Sequence, residues 1–125
     1  MKLNLPPDCG NSPKKKLVAD LTAYFASYTI PQIREFIAED VVWTLVGDNP
    51  IQGKTNFIAA LQKMSDIEAT ELSIHQIITH GKEAAVSGEM VMEDGKTYGF
   101  SDFYTFNSAG SKMVKSIRSY VILLK

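Results

Sequence analysis

The stretch from Glu83 to Asn107, EAAVSGEMVMEDGKTYGFSDFYTFN, decides how the rest of the chain is read. Two long runs rich in Val, Tyr, Phe and Thr flank Asp94-Gly95, a dipeptide that favours a tight hairpin turn. Strand alternation sends every second side chain to one face. In the second run that face carries Tyr98, Phe100, Asp102, Tyr104 and Phe106. In the first it carries Val86, Gly88, Met90 and Met92, with Ser87, Glu89 and Glu93 turned outward. One carboxylate therefore falls in the middle of an aromatic and methionine-rich face. A carboxylate against a dry core is costly to keep ionised, so Asp102 must be neutral, partnered, or on the wall of a wet cavity.

Further hairpin signals at His80-Gly81-Lys82 and Asn107-Ser-Ala-Gly110 extend this pair into a four-stranded antiparallel meander over residues 69–80, 83–93, 96–107 and 112–124. Strands of this length twist and curl. Gly88 and Gly99 inside them mark a bend or a close approach of backbones.

Upstream the pattern is helical. Residues 1–12 read as a flexible tail. Ser12-Pro13 then supplies an N-cap followed by proline at the first helical position. Leu17, Leu21, Tyr24 and Tyr28 recur at helical spacing with Phe25 beside them, and Lys14, Lys15 and Lys16 read as a solvated face. Thr29-Ile-Pro-Gln32 has the form of a capping box opening a second helix that ends near Glu39, with Ile33, Phe36 and Ile37 on its buried side. A strand from Val41 to Val46 sends Val41, Trp43 and Leu45 one way, and Gly47-Asp-Asn-Pro50 breaks it. After Gly53 a third helix carries Phe57, Ile58, Leu61 and Met64 on its apolar stripe. Helices first and a long meander afterwards predict one α+β domain over residues 13–125. The sheet is expected to be mixed, cone-shaped, strongly curved and mainly antiparallel, wrapped around the three N-terminal helices. Trp43, Leu45, Tyr24 and Tyr28 complete the lining of the conical space. One acid among apolar groups is the usual composition of a small-molecule pocket.

The bulk numbers narrow the function classes. With 125 residues, 45% apolar and 22% charged, and a formal charge of −1, the chain has no basic footprint for nucleic acid or for an anionic membrane. No apolar run approaches the roughly 18 residues of a transmembrane helix, and the amino terminus has no apolar signal core. A soluble, cytoplasmic protein without nucleic-acid or membrane partners is expected. Cys9, alone in the sequence, cannot form an internal disulfide and reads as a free thiol. His75 and His80, five apart on one strand, point to opposite faces, His75 outward and His80 inward, so no metal site is expected. Gly47-Asp-Asn-Pro-Ile-Gln-Gly53-Lys54-Thr55 imitates a phosphate loop, but five residues rather than four precede Gly-Lys-Thr and Pro50 lacks an N–H. No cofactor is expected.

The order of Ala38-Glu-Asp-Val-Val-Trp43, Pro50-Ile-Gln-Gly53, Phe100-Ser-Asp102-Phe-Tyr-Thr-Phe106 and Ser116-Ile-Arg-Ser-Tyr120 resembles the SnoaL-like branch of the nuclear transport factor two-like superfamily, over nearly the whole chain from residue 13. The resemblance implies a bent mixed sheet around three helices and a homodimer formed through the outside of the sheet. It also implies relatives that include ketosteroid isomerases, polyketide cyclases, limonene epoxide hydrolases, dehydratases and proteins with no known reaction. Asp102 matches the acid that the isomerases keep protonated in an oxyanion hole, the handling of a carboxylic acid for which that enzyme is the standard example. The matching position for the isomerase base is Leu45, which cannot act as one, and the isomerase tyrosine aligns with Leu21, one turn from Tyr24. The epoxide-hydrolase arginine is replaced by Phe100 and its last acid by Ser119.

Asp102 with Tyr24 is therefore the candidate catalytic pair, Tyr104 being the other hydroxyl able to supply the second hydrogen bond. Trp43, Leu45, Leu21, Tyr28, Met90, Met92, Phe100, Tyr104 and Ser119 are the candidate ligand-binding set. Three readings stay open. One is an isomerase, cyclase or dehydratase acting on a small apolar carbonyl compound. Another is a binder of a small hydrophobic ligand without turnover. The last is an interaction domain working through an outer face that includes Ile77, Val91 and Phe103.

Overall fold

A computed structural model describes residues 1–7 and 12–124; Cys9 lies outside them. The elements run β1 (Lys2–Asn4), α1 (Pro13–Ala26), α2 (Ile30–Glu35), β2 (Ile37–Leu45), β3 (Ile51–Gln52), α3 (Lys54–Met64), β4 (Ala69–His80), β5 (Glu83–Met92), β6 (Thr97–Phe106) and β7 (Val114–Leu124). The strands form one sheet in the order β1-β4-β5-β6-β7-β2-β3. The β1–β4 and β2–β7 pairs are parallel and the others antiparallel. The architecture is the expected α+β cone, an open and mostly antiparallel mixed sheet wrapped around three helices.

Local chemistry accounts for the start of α1. Ser12 accepts a hydrogen bond from the Lys15 N–H at 3.1 Å, and proline sits in the first turn. Lys14 and Lys16 are tied down rather than merely solvated. Lys14 Nζ donates to the Ser111 carbonyl at 2.9 Å and lies 3.9 Å from the centre of the Phe106 ring. Lys16 pairs with Asp20 at 3.0 Å, one turn along.

Several boundaries differ from the sequence-based expectation. The helix α2 ends at Glu35 rather than near Glu39, because β2 begins at Ile37 and pairs with Val114. The Thr29 capping box does not form. Thr29 makes no side-chain cap, and its hydroxyl instead lies 2.8 Å from that of Ser27. Residues 2–4, expected within a tail, run parallel to Glu71–Ser73 as an edge strand. After the break at residues 47–50 the chain returns as β3, antiparallel to β2.

The largest departure lies in β4. Its pairing with β5 shifts between Ile74 and Gln76, leaving His75 as an extra residue. One inserted residue reverses the alternation beyond it. Ile77, expected outside, is consequently buried, whereas Ile78 is 55% exposed. His80, expected inside, is exposed. His75 does face outward, 3.2 Å from Glu89.

Gly88 stands opposite Ile74, at the edge of this bulge. A Cβ there would overlap the Ser73 carbonyl oxygen, so the approach of β5 to the bulged strand requires glycine. Gly95, in the β5–β6 turn, has φ +86°, the left-handed region glycine favours.

The core is continuous from α1 to the sheet. Val18 and Leu21 of α1, Ile33 of α2, Phe57 of α3, and Val41, Leu72, Phe106 and Val114 of the sheet have no exposed surface. The Phe57 ring meets Trp43 edge-on at 5.2 Å and Phe25 at 6.0 Å. Helix α1 packs mainly on β4 and α3 on β2. The inner faces of β6 and β7 between them are left to border a cavity.

Candidate active site

Cross-strand register builds the site in rows. Paired residues point the same way, so Ala84, Tyr104, Ile117 and Trp43 form one inward row across β5, β6, β7 and β2. The next is Val86, Asp102, Ser119 and Leu45; then come Gly88, Phe100 and Val121, and finally Met90, Tyr98 and Leu123. The rows rise from a sealed floor, where Tyr104 is 1% exposed, toward a rim where Met64, Ile67 and Val121 are each more than 40% exposed. Between them lies a cavity of about 410 Å³, within the range of small-molecule sites.

Asp102, Trp43, Leu45, Tyr28, Met90, Met92, Phe100, Tyr104 and Ser119 all line this cavity. Leu21 and Tyr24 do not. Leu21 is fully buried in the core, and the helix instead turns Thr22, Phe25 and Ala26 to the space. These three share one face at spacings of three and four residues. The stripe through Leu21 and Tyr24 lies about a third of a turn away by helix geometry, roughly 120°. Tyr24 therefore does not reach the cavity that Asp102 borders, whereas Tyr104 does. Phe57, Leu61, Ile67, Asp94, Tyr98, Ile117 and Val121 line the cavity as well. Of these, Tyr98 was findable, since it shares the Asp102 face by simple alternation.

Tyr28 reaches the cavity by an unexpected route. It lies beyond α1, with φ +50°. The Thr29 N–H bonds the Tyr24 carbonyl at 2.9 Å and the Tyr28 N–H bonds that of Phe25 at 3.2 Å. This is a Schellman cap with tyrosine at the position normally given to glycine. Left-handed backbone costs a non-glycine residue about 1–2 kcal/mol, and the ring so placed borders the cavity. Burial and the nearby Glu68 push its phenol above the ordinary value.

Two polar groups stand near the floor. Asp102 is half-buried, the surface it retains belonging to the cavity. Burial pushes its carboxyl up from 3.8 to about 6, against the opposing pull of a hydrogen bond from Ser119. Ser119 in turn accepts a 3.1 Å hydrogen bond from the Trp43 indole N–H. The Tyr104 hydroxyl is buried and has no hydrogen-bond partner among the described residues. The Thr22 hydroxyl lies beside it, but its own proton goes to the Val18 carbonyl at 2.7 Å, and the two oxygens do not reach hydrogen-bond geometry. Burial, then the neighbouring Asp102, hold the Tyr104 phenol well above its ordinary value. It remains a neutral donor. No Lys, Arg or His is among the described lining residues, and no group of three or more His, Cys, Asp or Glu among the described residues is arranged to hold a metal ion.

The family model for the SnoaL-like domain matches residues 18–115, which include the β2, β5 and β6 members of the cavity rows. The chain belongs to the SnoaL-like domain family. Solved structures agree with this SnoaL-like domain in fold at low identity. A nuclear transport factor two-like protein of unknown function from Cytophaga hutchinsonii is 20% identical with a TM-score of 0.68, covering 86% of this chain and 97% of that one. A putative SnoaL-like polyketide cyclase from Shewanella denitrificans is 12% identical with a TM-score of 0.74, covering 89% and 92%. An LEH-like epoxide hydrolase from M. tuberculosis is 15% identical with a TM-score of 0.72, covering 86% and 80%. No protein of curated function matches the SnoaL-like domain by sequence. No helix among the described residues is long and apolar enough to cross a membrane.

Proposed function

We propose that this SnoaL-like domain takes into its cavity a small apolar molecule bearing one carbonyl-type oxygen, and that Asp102 acts on that oxygen as a general acid. The observation that carries this reading is the unpartnered, buried Tyr104 hydroxyl beside Asp102. A buried donor without a partner is costly, about 1–3 kcal/mol, and a ligand oxygen would satisfy it. In its protonated form, which prevails below about pH 6, Asp102 offers a second donor to the same atom. Enolisation, aldol closure and dehydration all develop negative charge on such an oxygen, and two preorganised donors in an apolar site stabilise it.

Binding without turnover is the second reading, and a specific observation favours it. The one other carboxylate among the described lining residues is Asp94, on the exposed β5–β6 turn, and Leu45 stands where a base would act.

Trp43, the sole tryptophan, reports on both readings. Aromatic and terpenoid ketones should change its fluorescence saturably. If binding leads to enolisation, with the α-proton passing to water in the cavity because no base lines its floor, the protein in deuterated water should exchange the α-hydrogens of the ketone. Asp102→Asn should abolish that exchange while keeping affinity within about tenfold, or 1.4 kcal/mol. Exchange at the wild-type rate in Asp102→Asn removes the acid role; ketones that never perturb Trp43 remove the ligand class.

We further propose a homodimer through the outer face of the sheet. Ile78, Phe103, Tyr120 and Ile122 are exposed there, and Phe103 meets Tyr120 edge-on at 6.0 Å. An apolar patch of this kind is typical of an interface. Sedimentation should show a dimer that Phe103→Glu with Ile122→Glu converts to monomer; a wild-type monomer at micromolar concentration would contradict it.

A further inference from the structure

Ser119 and Thr22 are the two buried polar residues among the described core. Thr22 spends its proton on its own helix. Ser119 instead links two elements of the site. It faces Asp102 across β6–β7 and Leu45 across β2–β7. Its oxygen accepts from the Trp43 indole N–H at 3.1 Å, and its side chain stands beside the Asp102 carboxyl across the β6–β7 pair, where it opposes the upward push of burial.

The direction of these bonds follows from the chemistry of the groups. Indole nitrogen donates only, and a serine hydroxyl has one proton and two lone pairs. The indole therefore takes a lone pair. The one serine proton is then available to Asp102 beside it, where it would favour the ionised carboxyl and so oppose the upward push of burial. A carboxyl group has two oxygens, and a single serine proton can engage one.

We propose that Trp43 is a positioning residue that acts through Ser119, fixing Asp102 with one carboxyl oxygen engaged by the serine and the other turned to the cavity beside the Tyr104 hydroxyl. This rests on the reading of Asp102 as donor to the ligand oxygen. It gives the indole N–H a role distinct from the ring's packing on Phe57. A donor at the back of the serine oxygen also strengthens that hydroxyl as a donor in front, as hydrogen bonds in chains do. Asp102 is thereby kept from rotating its acidic oxygen toward the wall.

The titratable groups on the elements around Asp102 are few. Tyr104 and Tyr98 share its strand, Tyr28 borders the space from the end of α1, Asp94 lies on the exposed turn, and Glu68 stands behind Tyr28. None belongs to α3, β2 or β7 on the cavity side.

Carbon-13 NMR of the Asp102 carboxyl, in the full chain without ligand, tests the relay. Four proteins are compared between about pH 3 and 9: wild type, Ser119→Ala, Trp43 replaced by the isostere benzothienylalanine, which lacks the N–H, and the combination. Wild type should titrate with a midpoint of about 6. Ser119→Ala should raise it by about one pH unit, the worth of a hydrogen bond to a charged group. The isostere should raise it by a smaller amount, and should add nothing once Ser119 is Ala. Ser119→Thr, which keeps the hydroxyl, should restore the wild-type midpoint. If the isostere leaves a raised midpoint unmoved, or shifts it equally with and without Ser119, the relay is wrong and the reading of Asp102 stands. A wild-type midpoint near 4 overturns both.

Discussion

Asp102→Asn is expected to make the protein more stable at pH 8 and to leave its stability unchanged near pH 3.5. The sign follows from linkage. The Asp102 carboxyl titrates at about 6 in the folded chain against an ordinary value of 3.8. Below about pH 4 it is neutral in both states and has no effect on stability. Between about pH 4 and 6 the unfolded chain ionises while the folded one resists, so the folded state loses stability as pH rises. Above about 6 the loss is complete, and the difference in affinity for the proton corresponds to about 3 kcal/mol. Asparagine keeps an acceptor for Ser119 and carries no charge to bury. Urea denaturation of both proteins at the two pH values checks this. The variant should gain stability only at the higher pH, and a variant less stable at pH 8 would mean that Asp102 is held ionised by a favourable partner. A residue whose removal stabilises the fold is one whose retention asks for a functional reason.

Gly88→Ala is expected to cost about 3 kcal/mol or more, at or beyond the upper end of ordinary overpacking, because its obstacle is backbone. The added Cβ would overlap the Ser73 carbonyl oxygen and press on the Ile74 Cα and the Phe100 ring. A flexible side chain yields to such pressure, whereas a carbonyl beside a bulge has no free direction. Relief would require β4 and β5 to separate at the place where the sheet bends around the helices. Gly99→Ala is the internal control. The nearest atoms its Cβ would meet are in the Leu124 side chain, at 3.6 Å or more, so its cost should stay within about 1 kcal/mol. Equal urea midpoints for the two variants would show that the close approach at Gly88 is not what fixes the bend.

How much of this was legible in the sequence depends on where one-dimensional periodicity suffices. Along β6, strict alternation put Tyr98, Phe100, Asp102, Tyr104 and Phe106 on one face, and Phe103 on the other is 48% exposed. Along β4 the same rule failed after His75, because a bulge is set by the fit of two strands at Gly88 rather than by either strand alone. On α1 the apolar stripe was visible, but Leu21 and Tyr24 are adjacent to Phe25 on the helix surface. Which of them faces the cavity depends on how the helix docks against β4. Tyr28 shows another limit: a bulky residue at a helix cap position suited to glycine looks, in sequence, like one more turn of helix. The parallel pairing of residues 2–4 with β4 has no local signature at all, since strand order is a property of the whole sheet.

The central claim is that the floor of the cavity, at Tyr104 and Asp102, is a seat for one ligand oxygen. Trp43 fluorescence titration with a matched pair, an apolar cyclic ketone and the hydrocarbon in which a methylene replaces its carbonyl, measures this in wild type and in Tyr104→Phe. The ketone should bind wild type about tenfold more tightly than the hydrocarbon, as one or two buried hydrogen bonds would give, and Tyr104→Phe should abolish most of that preference while leaving hydrocarbon affinity unchanged. Equal affinities for ketone and hydrocarbon in the wild type, or a preference that survives the loss of the Tyr104 hydroxyl, would contradict it.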